Sequence, residues 1–506
     1  MPLQLVMDTT QFRELGYRMV DEVATYWDRL QRDPGSVPVL SRSKPGDTAA
    51  LLPTRAPEHA ESWEAMFADI ERVIMPGLTH WQHPNFYAFF PANISGPAVL
   101  GELLSAGLGV QGMLWATSPA CTELETRVLD WLARAVGLPD DFLSTSPTGG
   151  GVIQGTASEA VLAALVAARH RAVKKLGPAC VHNLCVYTSS QAHSSVIKAA
   201  MIAGFALEPD DRARVRTIDV DATFRMRPDL LEAAMRADIA AGLTPCFVCA
   251  SVGTTGCTAI DDITATAHAI ARASTTHRPW LHVDAAHAGA ACICPEYQPW
   301  LAGIEHADSF CFNPHKWLLT NFDCDCFWTR DRASLTASMS ITPEYLRNPA
   351  SESGAVFDYR DWHVPLGRRF RSLKLWFVIR HYGLEGLRTY IREHMRLASL
   401  FESWVQADAR FELSAPRTMN LVCFRLHPHA NETSPQTDAR NKRMLDAINA
   451  TGLAYLTHTA LPTFNHAGAA TSSQLVIRMA IGATTTQESH VHAAWQLISR
   501  IAVDHK

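Results

Sequence analysis

The stretch WLHVDAAHAG, residues 280–289, decides the fold class of this chain. Its first five residues form an apolar run that ends on Asp284, which predicts a buried strand. Small residues follow the strand: Ala285, Ala286, Ala288 and Gly289. Open α/β sheets place functional side chains at the carboxyl ends of their strands. We therefore expect Asp284 at a sheet edge, where the small residues would let a flat ring approach closely.

Similar short runs, rich in β-branched and aromatic residues, recur at 184–187, 215–218, 246–251, 309–312 and 326–328. Stretches with helical spacing lie among them, at 158–175, 228–241 and 262–274. This alternation predicts an α/β fold with a mainly parallel sheet wrapped by helices. We divide the chain into an N-terminal helical dimerisation segment (1–95), a large domain (96–370) and a small C-terminal α+β domain (371–506).

The composition is that of an ordinary globular protein, with 506 residues, 47% hydrophobic and 19% charged, and a formal net charge of -5. A nucleic-acid-binding protein would show a clustered basic surface, which this balance disfavours. No apolar run reaches the roughly 20 residues of a membrane helix, and the N-terminus lacks a secretory-signal pattern. We expect a cytoplasmic protein that binds neither nucleic acid nor membrane.

Twelve cysteines are present, and three closely spaced pairs invite a redox or metal interpretation: Cys246/Cys249, Cys292/Cys294 and Cys324/Cys326. Redox or metal chemistry requires exposed thiols with partners. The apolar surroundings of these pairs instead predict buried structural thiols, and we expect no metal site.

Lys316 lies in a second apolar stretch, FNPHKWLL at 312–319, 32 residues after Asp284. Burial lowers the pKa of a lysine and favours the neutral amine that forms a Schiff base. A lysine in such a window can also be a surface residue that extends its amine into solvent. The strand-end acid and the lysine together match two needs of pyridoxal 5′-phosphate (PLP). These are an amine for its aldehyde and an acid that keeps its ring nitrogen protonated.

A Gly-rich run, TGGGVIQGTASE at 148–159, supplies a candidate phosphate cradle. Thr156 and Glu159 have the spacing of a capping box, which predicts that a helix begins there. Helix N-termini bind phosphate through free N–H groups and the helix dipole, so we choose Ala157 and Ser158 as phosphate contacts. His193 is a candidate to stack on the cofactor ring, although a lone histidine at a strand-to-helix turn is more often structural.

Together with WATSPACTELE at 115–125 and DYRDWHVPLGRRFRSLKLWFVIRHYG at 358–383, these stretches resemble the aromatic-L-amino-acid decarboxylases, which are group II PLP decarboxylases. The resemblance covers about residue 8 to about residue 400, and more loosely the remainder. It implies a fold-type I PLP enzyme with an aspartate aminotransferase-like large domain. It also implies an obligate homodimer with shared active sites at the interface.

The resemblance also implies roles for individual residues. Lys316 resembles the Schiff-base lysine, Asp284 the pyridinium partner and His193 the ring-stacking histidine. Further cofactor contacts are implied at Ala157, Ser158, Thr255, Ala286 and Asn313. Supporting residues near the cofactor are implied at Asp261 and His315. A substrate-pocket wall, partly supplied by the other subunit, is implied at Trp81, Phe89, Phe90 and Pro91.

Tyr345, in ITPEYLRNP, matches a catalytic tyrosine on a mobile loop (about 339–357). In this family the tyrosine is associated with protonation of the carbanionic carbon after CO2 leaves. Relatives with phenylalanine there tend to be oxidative aldehyde synthases, so Tyr345, together with His193, indicates simple decarboxylation.

Three further positions bear on the substrate. Ala92 stands where animal relatives carry a threonine, so the usual hydroxyl contact to the substrate carboxylate is in doubt. Met113 occupies a wall position that is often phenylalanine, which softens the pocket. Gly367 is the small residue of relatives that accept dihydroxyphenylalanine or tryptophan. These features favour indole or broad aromatic substrates.

The sequence thus predicts decarboxylation of tryptophan, dihydroxyphenylalanine, tyrosine or phenylalanine to the arylalkylamine and CO2. One alternative is an aromatic aldehyde synthase on the same scaffold, which Tyr345 disfavours. Another is a different PLP reaction such as transamination or glutamate decarboxylation, and the aromatic segment 80–91 disfavours glutamate. A non-catalytic scaffold is disfavoured by the presence of the lysine, the aspartate and the tyrosine together.

Overall fold

A computed structural model describes residues 7–274, 277–341, 343–465, 468 and 470–504, and the side chain of Tyr345 lies outside the described part. Its centre is a seven-stranded sheet. The strands are β1 (Gly150–Gln154), β2 (Leu184–Ser189), β3 (Val215–Ile218), β4 (Thr244–Ser251), β5 (Trp280–Asp284), β6 (Ser309–Phe312) and β7 (Asp325–Thr329).

The strands lie in the order β1-β7-β6-β5-β4-β2-β3, and β5 is at the middle. The pairs β2–β3, β2–β4, β4–β5 and β5–β6 are parallel, whereas β7 runs antiparallel to both of its neighbours, β1 and β6. All five residues of β5 are buried, as expected for a strand covered on both faces. The predicted α/β class with a mainly parallel sheet is confirmed.

Helices precede, separate and follow the strands of this sheet. They are α4 (Gly96–Leu108), α5 (Pro119–Val136), α6 (Ala157–Leu176), α7 (Ser195–Ile202), α8 (Pro228–Ala240), α9 (Ile263–Ala273), α10 (Pro314–Trp317), α11 (Arg332–Met339) and α12 (Pro349–Glu352) in the numbering used below, which continues from three N-terminal helices. Those three are α1 (Thr9–Arg32), α2 (Asp47–Leu51) and α3 (Trp63–Asp69). One apolar core joins the sheet to α5, α8 and α9, and a second joins its other face to α6 and α7.

The C-terminal part forms a second, antiparallel sheet of four strands. Its elements are α13 (Ser372–Ala407), β8 (Phe411–Leu413), β9 (Leu421–Leu426), α14 (Ser434–Ala450), β10 (Thr457–Phe464), β11 (Ala470–Ala480) and α15 (Glu488–Ile501). The strand order is β10-β11-β9-β8. The long helix α13 is interrupted at Gly383, whose φ of 62° lies in the left-handed region that glycine adopts without strain.

The main departure from the predicted elements is β1, because the sequence analysis assigned 148–159 to a cradle turn without a strand. Gly150 and Gly151 lie in this edge strand, and both are glycine because neither position has space for a side chain. A Cβ on Gly150 would come within 2.7 Å of Trp362, and one on Gly151 within 2.6 Å of Trp328. The predicted cysteine pairs are buried free thiols, as expected. Among the described residues, no helix is long and apolar enough to span a bilayer.

Candidate functional site

A cavity of about 210 Å³ opens at the carboxyl edge of the seven-stranded sheet. Strand ends and the turns after them line most of it. The lining residues are Phe90, Thr156, Ala157, Ser158, His193, Ser251, Gly253, Thr254, Thr255, Asp284, Ala286, His287, Asn313, His315, Lys316 and Phe322. All eight residues predicted to contact the cofactor, and the supporting His315, are therefore brought together, although they span more than 150 residues of sequence.

Lys316 lies in the single turn α10, directly after β6. Its backbone N–H donates to the carbonyl of Asn313 at 3.0 Å, which fixes the turn. The Nζ atom lies 5.5 Å from the centre of the Phe90 ring. Burial lowers the pKa of the Lys316 amine, while the nearby Asp284 carboxylate opposes this effect. The amine is therefore closer to its neutral, nucleophilic form than a solvated lysine.

Asp284 ends β5 in the middle of the sheet. One of its oxygens, Oδ1, accepts a hydrogen bond from the N–H of Ala286 at 3.0 Å, which orients the carboxylate at the cavity. Of the four small residues after Asp284, only Ala286 lines the cavity. The expectation for Gly289 is wrong, because its Cα packs against Phe312, where a Cβ would come within 2.5 Å of that side chain.

The Gly-rich segment forms a helix N-terminus at the cavity. Helix α6 begins at Ala157, whose N–H donates to the Asn313 side chain at 3.1 Å. The predicted capping box is wrong, because Glu159 accepts from the N–H of Gly155 at 2.7 Å and the Thr156 side chain makes no cap. Ser158 and Thr156 line the cavity in front of this 20-residue helix, so its positive end faces the space that an anion would fill.

His193 lies at the mouth of the cavity, where its ring is exposed. Its Nδ1 atom accepts a hydrogen bond from the N–H of Ser195 at 3.2 Å, so the proton of the neutral ring is on Nε2. Partial burial lowers the pKa of His193, and the positive charge of Lys316 lowers it further, against the effect of Asp284. A neutral, flat ring is thus held at the opening.

Two predicted supporting residues act on the walls of the cavity. His315 is buried, and its Nδ1 accepts from the N–H of Cys324 at 3.0 Å; burial lowers its pKa to about 3. Asp261 is outside the cavity. Its two oxygens accept from the N–H groups of Ser251, at 2.8 Å, and Met226, at 2.7 Å. Asp261 thereby fixes the end of β4, where Ser251 lines the cavity, and burial raises its pKa to about 6.

Only one of the seven predicted substrate-wall residues lines this cavity, and it is Phe90. Trp81 and Phe89 stack on each other with ring centres 5.6 Å apart and are 38% and 47% exposed. Gly367 lines a separate surface groove beside α4. Pro91 is buried against Gly482.

The last two positions also lie elsewhere. The carbonyl of Ala92 accepts from Gln82 at 2.6 Å, and the carbonyl of Met113 accepts from the Arg360 N–H at 3.1 Å. One chain alone therefore does not assemble the predicted wall.

Tyr345 lies in the short turn Glu344–Leu346, and its side chain is outside the described part of the chain. None of the described residues of the loop around it lines the cavity of its own chain. Instead, Leu346, Arg347 and Ser351 line a cleft against α11, with Arg332 on the other side.

An aromatic stack at the wall of the cavity was not predicted from the sequence. His287 lies parallel to Phe90, with ring centres 3.9 Å apart, and to Trp317, at 4.7 Å. Its Nε2 atom hydrogen-bonds to the side-chain oxygen of Asn420 at 2.7 Å, and burial lowers its pKa to about 3. The sequence offered a signal for His287, because this residue lies three positions after Asp284, in the segment already predicted to reach the site. Arg478, whose guanidinium lies 5.2 Å from the Phe90 ring centre, comes from β11 and carried no such signal.

The geometry fits PLP at three points. The cavity offers an amine of lowered pKa, a carboxylate fixed at a strand end, and the positive end of a long helix. These are the groups that an aldehyde, a protonated ring nitrogen and a phosphate need.

Comparison with known proteins agrees with this arrangement. Residues 45–427 match the model of the pyridoxal-dependent decarboxylase conserved domain. The chain is 47% identical to a phenylacetaldehyde synthase of Arabidopsis thaliana, over 98% of this chain and 96% of that one. It is also 47% identical to tryptophan decarboxylase 2 of Oryza sativa subsp. japonica, over 97% and 94%.

The fold also matches that of a solved relative. The crystal structure of an Oryza sativa TDC with PLP and tryptamine superposes with a TM-score of 0.91 at 40% identity, and the match covers 100% of this chain and 99% of that one. The chain therefore belongs to the pyridoxal-dependent decarboxylases, among the enzymes of aromatic amino acids, and its cofactor is pyridoxal 5′-phosphate.

Proposed function

We propose that this protein removes the carboxylate of an aromatic L-amino acid and releases the arylalkylamine and CO2. The observation that carries the proposal is the convergence of Lys316, Asp284 and the N-terminus of α6 on one cavity. Phe90 and the exposed pair Trp81 and Phe89 provide apolar, aromatic surface in and near the same region.

Each cofactor group has a matching residue. Bound PLP would supply an electron sink for the pair left when the carboxylate departs. Lys316 would hold its aldehyde, and the positive end of α6, at Ala157 and Ser158, would bind its phosphate. Asp284 would hold the proton on its ring nitrogen. Asn313 and Ala286 would fix the cradle and the ring, since the Asn313 side chain already accepts from the Ala157 N–H.

Two further residues would act near the reacting carbon, one beside the cofactor ring and one as a proton donor. His193 would flank the ring at the cavity mouth, where its neutral imidazole can pack flat without bringing a charge. Tyr345, on the loop 339–357, would deliver or order a proton to the α-carbon after CO2 leaves. Closure of such a loop also excludes water from the site.

We also propose a homodimer with shared sites, organised as the three segments 1–95, 96–370 and 371–506. Exposed leucines on α4 support it: Leu100 is 52% exposed, Leu103 53% and Leu108 52%. On α1, Phe12 is 59% exposed and Tyr17 67%. Contiguous apolar faces of this kind mark interfaces. The substrate-wall residues that lie outside the cavity of one chain would then be completed by the partner.

The substrate class follows from the same wall. Gly367 leaves space beside α4, where an added Cβ would meet only the Gln111 side chain at 3.2 Å. Ala92 offers no hydroxyl to a carboxylate. These features favour indole or broad aromatic side chains over small phenolic ones. The cytoplasmic location expected above stays a prediction, which cell fractionation would test.

One product assay tests the function. The PLP-loaded protein is incubated in air with L-tryptophan, L-phenylalanine, L-tyrosine, L-dihydroxyphenylalanine, L-histidine and L-glutamate, and amine, aldehyde and hydrogen peroxide are quantified by mass spectrometry and a peroxide assay. Aromatic amine without peroxide is the expected result. Absence of product from every aromatic substrate would refute the proposal.

The second candidate is an aromatic aldehyde synthase, which the 47% identity to a phenylacetaldehyde synthase favours. The two candidates differ in their use of oxygen. Aldehyde with stoichiometric peroxide from the unaltered protein would establish the synthase and remove Tyr345 from the argument.

A further inference from the structure

Asp325, the first residue of β7, is a buried acid that the reaction outlined above does not use. Its exposed fraction is 0%, and neither of its carboxyl oxygens has a hydrogen-bond partner among the residues that the structure describes. Burial of an unpaired carboxylate is far more costly than burial of the neutral acid. The geometry alone therefore favours a protonated side chain.

The position of Asp325 places it between the two halves of the phosphate cradle. In the sheet it pairs with Gln154, the last residue of β1, while the next residue of β7 pairs with Phe312, the last residue of β6. One step beyond these partners, the chain reaches Gly155 on one side and Asn313 on the other. The contact between the Asn313 side chain and the Ala157 N–H joins these two segments.

The charged groups around Asp325 also oppose its ionisation. Burial raises its pKa well above the ordinary value, and Asp284, Cys324 and Glu159 raise it further, while Lys316 acts in the opposite direction. Glu159 accepts a hydrogen bond from the Gly155 N–H at 2.7 Å, which holds its carboxylate at the cradle. A carboxylate at this position would add negative charge to a site that already contains Asp284.

We propose that Asp325 is a protonated acid beneath the cradle and a determinant of cofactor retention, because the neutral acid admits the phosphate and the carboxylate repels it. The inference rests on the cofactor placement given above. It deepens that placement by naming a residue that sets how the affinity depends on pH.

The direction of the effect follows from linkage. A phosphate dianion binds more weakly to the ionised form, so cofactor binding raises the pKa of Asp325 further. The affinity is therefore constant below the pKa of the free protein and falls as the pH rises through it. Loss of the Lys316 proton as the pH rises favours reaction with the aldehyde, and the charge of Asp325 opposes this loss. Because this effect acts on the amine, it changes the binding of PLP and of pyridoxal alike.

The test compares the wild type with Asp325→Asn, which keeps the shape and cannot ionise. Dissociation constants of PLP and of pyridoxal, which lacks the phosphate, are measured by equilibrium dialysis of the cofactor-free full-length protein between about pH 7 and about pH 9.5. Asp361→Asn is the matched control, because burial also raises the pKa of Asp361, which lines the separate cleft against α11.

We expect Asp325→Asn and the wild type to bind PLP equally wherever Asp325 is protonated, and to diverge as the pH rises. At the alkaline end the variant should bind PLP about tenfold more tightly or better, since the effect approaches a factor of ten for each unit between the two pKa values. The ratio for pyridoxal should change less than the ratio for PLP, and Asp361→Asn should follow the wild type.

Two outcomes would overturn the proposal. One is a PLP ratio that does not change with pH, and the other is a ratio for pyridoxal that changes as much as that for PLP, which would place the effect on Lys316. If Asp325→Asn does not fold, Asp325→Ser removes the acid with a smaller side chain and must give the same ratios. Amine production by the wild type is unaffected by these outcomes, so failure here is distinct from failure of the proposed function.

Discussion

We expect the largest loss of stability from breaking the buried ion pair of Glu125 and Arg368. Their side chains are 0% and 1% exposed, with an Arg368 Nη2–Glu125 Oε1 distance of 2.8 Å. Both groups also hold β1: Glu125 accepts from the Ile153 N–H at 2.8 Å, and Arg368 donates to the Ile153 carbonyl at 2.7 Å. The pair thus ties α5 and the segment after Gly367 to the strand that leads to the cradle.

Glu125→Gln removes one charge and leaves the guanidinium of Arg368 buried without an anion. Breaking a buried pair in this way costs about 3–5 kcal/mol of unfolding free energy. Replacing both partners with apolar residues, as in Glu125→Leu with Arg368→Met, should cost less than the single change, because no charge is then stranded. The matched control is Glu393→Gln, whose partner Arg396 is 48% exposed, and which should cost less than about 1 kcal/mol.

The assay is urea-induced unfolding of the PLP-loaded protein, followed by tryptophan fluorescence at constant protein concentration. The midpoint of Glu125→Gln should fall well below those of the double variant and of Glu393→Gln. A single variant that unfolds with the control would refute the reasoning, because the pair would then behave like an exposed one.

Two further predictions concern the reaction, and a third concerns the pH dependence of stability. Lys316→Ala should abolish amine formation and make the cofactor removable by dialysis, while Lys44→Ala on the surface changes neither. Tyr345→Phe should divert product from amine towards aldehyde and peroxide; amine alone at the normal rate would remove the tyrosine from the protonation step. His282, whose pKa burial lowers to about 4, is charged more readily in the unfolded chain, so its contribution to stability is lost as the pH falls from about 6.5 to about 4. The wild type should lose about 2 kcal/mol from this residue near pH 5, which urea unfolding of His282→Gln would show as a weaker pH dependence.

Much of the large sheet was predictable, because β5 and its neighbours are covered on both faces and so read as short apolar runs. The same logic placed Asp284 and Lys316 at strand ends. It failed for β1, where Gly150 and Gly151 have the composition of a turn but are required by the side chains of Trp362 and Trp328.

Other parts of the site depended on contacts that no local pattern reveals. Asp325 begins an otherwise largely apolar strand, and only the tertiary structure shows that its carboxyl oxygens have no hydrogen-bond partner among the described residues and that it lies beside the cradle. Arg478 reaches Phe90 from a different sheet. The substrate wall was predicted through resemblance, and Trp81, Phe89 and Gly367 lie outside the cavity of the single chain.

The edge position of β1 also bears on the order in which the molecule is assembled. Among the described strands, β1 pairs only with β7. Gly150 can therefore pair with Thr329 only after the chain has been synthesised to that residue. Contacts between such distant residues form late, because the intervening loop must close first. The connection from β6 to β7 carries Lys316, and β1 leads directly into the cradle. The pairing of β1 with β7 therefore brings the lysine and the phosphate cradle to the same edge of the sheet.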